Sequence, residues 1–177
     1  MDPADAADWE SLLAGDRVAL GRLFDRHHAR LFRHAYTVCR TREDAQDAVA
    51  VAFFELWRKR TSVRLVDGSP LPWLLTATSY AGRNIERSAR RYRRLLASVP
   101  REREADDSFT GSDETGVIAA LKRLPASERD VIVLTVIEGF PERQAAQALG
   151  IPEGTVKSRL ARAKRRLRGE MERLELA

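Results

Sequence analysis

The sequence predicts an all-α protein: two small helical domains joined by a flexible acidic linker, with a helix-turn-helix in the C-terminal one. Three observations lead there. Apolar residues recur at helical spacing on both sides of residues 97–116, and no alternating run is long enough to argue for a sheet. The stretch between them, ASVPREREADDSFTGSDETG, is rich in Ser, Asp and Glu and nearly free of large apolar side chains, so it has too little surface to bury to order itself. Between Pro141 and Arg168, Ala146, Gly150 and Val156 have the relative spacing of the small, turn and core positions of a helix-turn-helix. The expected boundaries are 1–96, 97–116 and 117–177.

In the first domain, Asp16 can cap a helix with Leu20, Leu23, Phe24, Leu31, Ala35 and Val38 at helical spacing. Thr41 then opens another, with Asp44 three positions on as a capping-box variant. Ala45, Ala48, Val49, Ala52, Phe53 and Leu56 form its buried stripe, and Arg58-Lys59-Arg60 end it. Asp67-Gly68-Ser69-Pro70 is a turn-forming run, so 62–72 reads as a loop. From Pro72 or Trp73 a further helix should run into the 90s on a core face of Leu74, Ala77, Ala81 and Ile85. In the second domain the β-branched run Val131–Ile137 would be a strand if taken alone. Ser127 as N-cap, Gly139 as stop and the lack of a partner strand make it a helix instead.

Composition narrows the classes of function. The 177 residues, 44% hydrophobic, suffice for one medium or two small cores. No apolar run approaches the length that crosses a bilayer, so no membrane insertion is expected. The acidic N-terminus lacks the features of a secretory signal, and the single cysteine, Cys39, cannot form an internal disulfide. Both suit a cytoplasmic protein. The net charge of +5 is segregated: the two helical domains are basic and the connector is acidic, a pattern that suits polyanion binding at two places.

The helix-turn-helix carries the most specific chemistry. Ala146 must be small where two helices cross, Gly150 permits the positive φ of the turn, and Val156 packs the second helix on the first. Pro152 suits the first turn of that second helix. Val156, Leu160, Ala163 and Leu167 then face the core, while Ser158, Ala161, Arg162 and Arg165 project oppositely, flanked by Lys157, Lys164 and Arg168. No acidic residue lies between Thr155 and Gly169, so nothing within that span neutralises the face.

A second basic face lies in the first domain, where Arg83, Arg87, Arg90 and Arg94 fall within about 60° of one another on a helical wheel. Trp73, Tyr80, Asn84 and Tyr92 accompany them. Aromatic groups beside arginines can stack on unpaired bases, and they are also what a core Trp with surface tyrosines looks like. His27 and His34 lie on the apolar side of their helix with His28 and Cys39 directed elsewhere, so no metal-ligand set is expected. No phosphate-cradling glycine loop, nucleophile elbow or acid-base pair is present, and neither an enzyme site nor a cofactor is expected.

With these residues in place, the chain resembles the extracytoplasmic-function sigma factors of bacterial RNA polymerase over nearly its whole length. Leu124-Pro125, Arg129, Val131, Glu138-Gly139, Leu149-Gly150-Ile151-Pro152, Gly154 to Leu160 and Arg162-Ala163 are similar to the signature of the family's fourth region. Glu43-Asp44-Ala45, Asp47-Ala48-Val49, Phe53, Leu56-Trp57-Arg58, Trp73-Leu74 and Asn84 resemble its second region, with Ala50-Val51 where the family commonly has Gln-Glu.

The resemblance implies a non-catalytic subunit that directs core RNA polymerase to promoter DNA, often restrained by an anti-sigma factor. It implies polymerase contacts at Asp44, Asp47, Phe53, Leu56, Trp57 and Arg58. Contacts with the minus-ten element fall to the loop 61–72 and to Trp73, Tyr80, Arg83, Asn84, Arg87, Arg90, Arg91 and Arg94. Contacts with the minus-thirty-five element fall to Thr155, Lys157, Ser158, Arg159, Arg162 and Arg165. An autonomous regulator binding an operator as a dimer would use the same helix-turn-helix and leave the first domain unexplained. A nucleic-acid-processing enzyme would need a catalytic constellation that the sequence lacks.

Overall fold

The computed structural model describes residues 3–97 and 116–175, so the linker expected at 97–116 lies almost wholly outside the described residues. Those residues form helices α1 (Pro3–Leu13), α2 (Arg17–Tyr36), α3 (Arg42–Lys59), α4 (Leu71–Ala97), α5 (Gly116–Arg123), α6 (Ala126–Ile132), α7 (Glu142–Leu149) and α8 (Glu153–Glu175). No strand occurs among them, only an isolated bridge between Val66 and Ser69. In the first module α2, α3 and α4 pack together and α1 lies on α2; in the second α5, α6 and α7 pack around α8.

The cap chemistry acts as expected at two helices. Asp16 accepts from the Val18 N–H at 2.8 Å, and Thr41 Oγ1 accepts from the Asp44 N–H at 3.0 Å. On α3 the inward stripe Ala45, Ala48, Val49, Ala52, Phe53 and Leu56 is buried. Phe24, expected inside, is 38% exposed: its ring stacks on His28 with centroids 5.0 Å apart and tilts against Phe53. Gly82 lets α4 approach the end of α2, since a Cβ there would lie 2.8 Å from Cys39 Sγ.

Helix α1 has no apolar periodicity to announce it, because its inner face is partly ionic. Trp9 and Leu12 are buried beside two buried carboxylates, Asp5 and Asp8. The N–H of Arg22 Nε donates to Asp8 at 2.5 Å, and Arg26 forks across Asp5 and Asp8 at 2.7 Å each.

The β-branched run is helical, but not in one piece. Helix α6 gives way at Val133–Ile137 to a π-helical turn, closed by the Glu138 N–H on the Val133 carbonyl at 2.9 Å. Ser127 is not the N-cap. The helix opens after Pro125, whose carbonyl accepts from the Glu128 and Arg129 amides at 2.9 Å, leaving Ser127 exposed one position inside.

The two modules pack directly on one another, α7 against α4. Arg83 Nη1 reaches both carboxylate oxygens of Asp130, at 2.8 and 3.0 Å. Arg30 bonds the Glu138 carboxylate and carbonyl, and buried Arg129 donates to the Thr37 carbonyl at 3.3 Å. Gln144 of α7 donates to Asp67 in the loop before α4.

His34 sits in the core of the first module, its Nε2 2.7 Å from Ser79 Oγ. Burial lowers its pKa from 6.5 to about 4, against an opposing pull from Asp130. Between these values the unfolded chain binds a proton that the native core excludes, so stability falls as pH drops through that window. The expected loss is up to ~3 kcal/mol. Urea unfolding at pH 7 and pH 4.5 measures it, and His34→Gln is expected to flatten the slope. The Asp5 and Asp8 carboxylates, held below their ordinary value, act only at lower pH.

Candidate nucleic-acid interface

The second module presents α8 as expected. Gly150 adopts φ 65, which is open to glycine at no steric cost, and its amide turns back on the end of α7. The Pro152 carbonyl then accepts from the Thr155 and Val156 amides at 2.9 and 3.2 Å and starts α8. Val156, Leu160 and Ala163 are buried. Lys157, Ser158, Arg162 and Arg165 are exposed, with Thr155 and Arg159 half-buried.

The face is less free of acid than its own span indicated. Glu128 of α6 lies 3.1 Å from Arg166 and 3.8 Å from Arg162, and Glu153 lies 3.3 Å from Lys157. Arg162 and Lys157 are half or more exposed, so solvent screens these pairs and either cation can exchange its partner for a phosphate or base edge at little cost.

On the first module, Trp73, Tyr80 and Asn84 line one groove of about 610 Å³ with Lys59, Ser62 and Arg64. Its far wall is the helix-turn-helix itself, Gln147 to Gly150. Trp73 is half-buried and packs on the core, whereas Tyr80 is 58% exposed. Asn84, Arg87, Arg90, Arg91 and Arg94 are exposed along α4. Arg83 differs from them: its guanidinium lies 4.7 Å over the Tyr80 ring and is engaged by Asp130 of the other module.

On α3 the structure divides the expected polymerase-binding set. Asp47 and Arg58 are exposed, and Asp44 and Trp57 half-buried. Phe53 and Leu56 are a correction. They are 4% and 0% exposed, because the same helical phase that makes them core residues turns them away from any partner. The outward apolar group is instead Ala50, Val51 and Phe54, with Phe54 64% exposed. Ala50 also borders a groove of about 490 Å³ against Phe24, His28 and Phe32. Phe54 lies beside Phe53 in an apolar run, and the period of the buried stripe separates the two: Phe53 falls on it and Phe54 does not.

Comparison with known proteins agrees with this two-module organisation. Residues 23–95 match Sigma-70 region 2, and residues 116–167 match Sigma-70, region 4. The chain is 35% identical over 171 residues to the ECF RNA polymerase sigma factor SigM of Mycobacterium tuberculosis, covering 93% of this chain and 83% of that one. It is 30% identical to SigL of the same organism, covering 91% and 93%.

Among solved structures, CnrH in complex with the cytosolic domain of CnrY superposes with a TM-score of 0.69 at 26% identity, over 96% of this chain and 97% of that one. RpoE in complex with the anti-sigma factor NepR from Bartonella quintana gives 0.65 at 25%, over 86% and 96%. Fold and matches together define a transcription-initiation factor of the sigma-70 class. The chain belongs to the extracytoplasmic-function (ECF) sigma factors. No helix among the described residues is long and apolar enough to cross a membrane.

Proposed function

We propose that α3 holds core RNA polymerase, that loop 61–70 and the arginine face of α4 hold the opened minus-ten strand, and that α8 reads the minus-thirty-five element. The domains divide at 1–96, 97–116 and 117–177. The observation that carries the reading is that each of two modules in one chain exposes a cationic helix, α4 in one and α8 in the other. Duplex bases are read from α8 in the major groove, and phosphates of the separated strand are held along α4. Polymerase supplies the chemistry, and this chain supplies binding alone. The work is cytoplasmic. An anti-sigma factor completes the set of partners, in keeping with the NepR complex of the RpoE relative.

A gel shift on promoter DNA, run with and without core polymerase, tests this. Sequence-specific retention is expected only with polymerase. Specific binding by the lone chain as a dimer would overturn the reading in favour of an operator-binding regulator. A sharper test is Arg162→Ala, which is expected to cost ~1–3 kcal/mol of discrimination at one position of the upstream element. Transcription from a panel of minus-thirty-five variants measures it, and an unchanged preference removes Arg162 from the reading surface.

A further inference from the structure

A base leaving its stack must meet donors and acceptors already in place, so loop 61–70 needs a defined shape more than any other part of the proposed interface. The loop ends in a tight turn. Val66 and Ser69 exchange both backbone hydrogen bonds at 3.1 Å, with Asp67 and Gly68 left-handed at φ 49 and 75. No strand continues it, and an isolated two-stranded turn is marginal in water without outside support.

Ser69 provides that support. Its hydroxyl donates to the Asp5 carboxylate of α1 and accepts from the Leu71 N–H at 3.2 Å, so one side chain ties the turn both to α1 and to the start of α4. Asp5 is 1% exposed. Its other oxygen accepts from Arg26 Nη1 at 2.7 Å and from His27 Nε2 at 2.8 Å. Burial alone would push the Asp5 carboxyl up, but the hydrogen bonds from Ser69, His27 and Arg26 outweigh it and hold it below the ordinary aspartate value. Asp5 is therefore ionised at neutral pH, and an ionised acceptor fixed by several donors makes shorter, stronger bonds than a neutral one.

We propose that Asp5, acting through Ser69, is a positioning residue that sets the shape in which loop 61–70 receives an unpaired minus-ten base. This rests on the reading of that loop as the minus-ten contact. Asp5 is too buried to touch DNA itself, and it lies in a helix that neither matched family region includes.

The test uses the full chain with core polymerase on promoters that differ only in their minus-ten bases, with polymerase affinity measured separately. Ser69→Ala and Asp5→Asn are expected to narrow the ranking of minus-ten variants by about tenfold, the order of one lost hydrogen bond to a charged group. Polymerase affinity and minus-thirty-five preference should stay within about twofold. Ser69→Thr keeps the hydroxyl and should keep the ranking. An anchor that only stabilised the fold would lower all promoters together and leave their order and spread intact. That result in Ser69→Ala, a half-buried loop position that tolerates truncation better than Asp5, overturns the proposal. If the wild-type chain with polymerase fails to rank minus-ten variants at all, the failure lies in the minus-ten reading, and the inference falls with it.

Discussion

Phe54→Asp is expected to weaken association with core RNA polymerase by at least ~30-fold, corresponding to loss of an interface hot spot of ~2 kcal/mol or more. The ring is 64% exposed on the outer face of α3, beside exposed Ala50 and Val51, so the native fold gains little from it. An aromatic group left in water beside exposed Ala50 and Val51 is the kind of anchor that an interface buries. The neighbouring position should behave in the opposite way. Phe53→Ala removes a ring that is 4% exposed, so it is expected to cost ~3–5 kcal/mol of stability. Polymerase titration together with thermal melting separates the two: Phe54→Asp should move only the first, and Phe53→Ala should move the second. Undiminished affinity in Phe54→Asp would take α3's apolar face out of the polymerase contact.

Asp130→Ala is expected to raise the affinity of the free chain for a single-stranded minus-ten oligonucleotide about tenfold, on the scale of one charged hydrogen bond. Arg83 belongs to the arginine set of α4, yet Asp130 of the second module reaches it at 2.8 Å with both side chains less than one-fifth exposed. Asp130 engages Nη1 and offsets the guanidinium charge, so the pair weakens the hold of Arg83 on a phosphate. For the proposed minus-ten role of Arg83, the cost of loosening the pair is subtracted from DNA binding. Arg83→Ala should lower strand affinity in the Asp130→Ala background more than in the wild type, where the residue is already occupied. Fluorescence anisotropy on the four proteins of the cycle gives the coupling. Equal effects of Arg83→Ala in both backgrounds would show that the pair does not compete with DNA.

The Arg83–Asp130 pair also marks where reading the chain residue by residue stops. Helical phase puts Arg83 with Arg87, Arg90 and Arg94, and it does lie on that helix; what no phase reveals is a carboxylate 47 residues away that claims one of the four. Glu128 repeats the lesson on α8, where the local span has no acid but α6 brings one alongside Arg166. Helix α1 is not legible in the sequence for a related reason: its inward side chains include Asp5 and Asp8, and a partly ionic inner face leaves no continuous apolar stripe.

By itself the sequence determined what local physics controls. The helical periods, the caps at Asp16 and Thr41, the left-handed turn at Gly150 and the inward and outward faces of α8 follow from residues within a few positions of each other. Only the folded chain shows which charges are spoken for and how α7 closes over the groove beside Trp73 and Tyr80. Ion pairs and packing between distant segments depend on where the chain brings groups in space, and a carboxylate's partner is set by that proximity rather than by its place in the sequence.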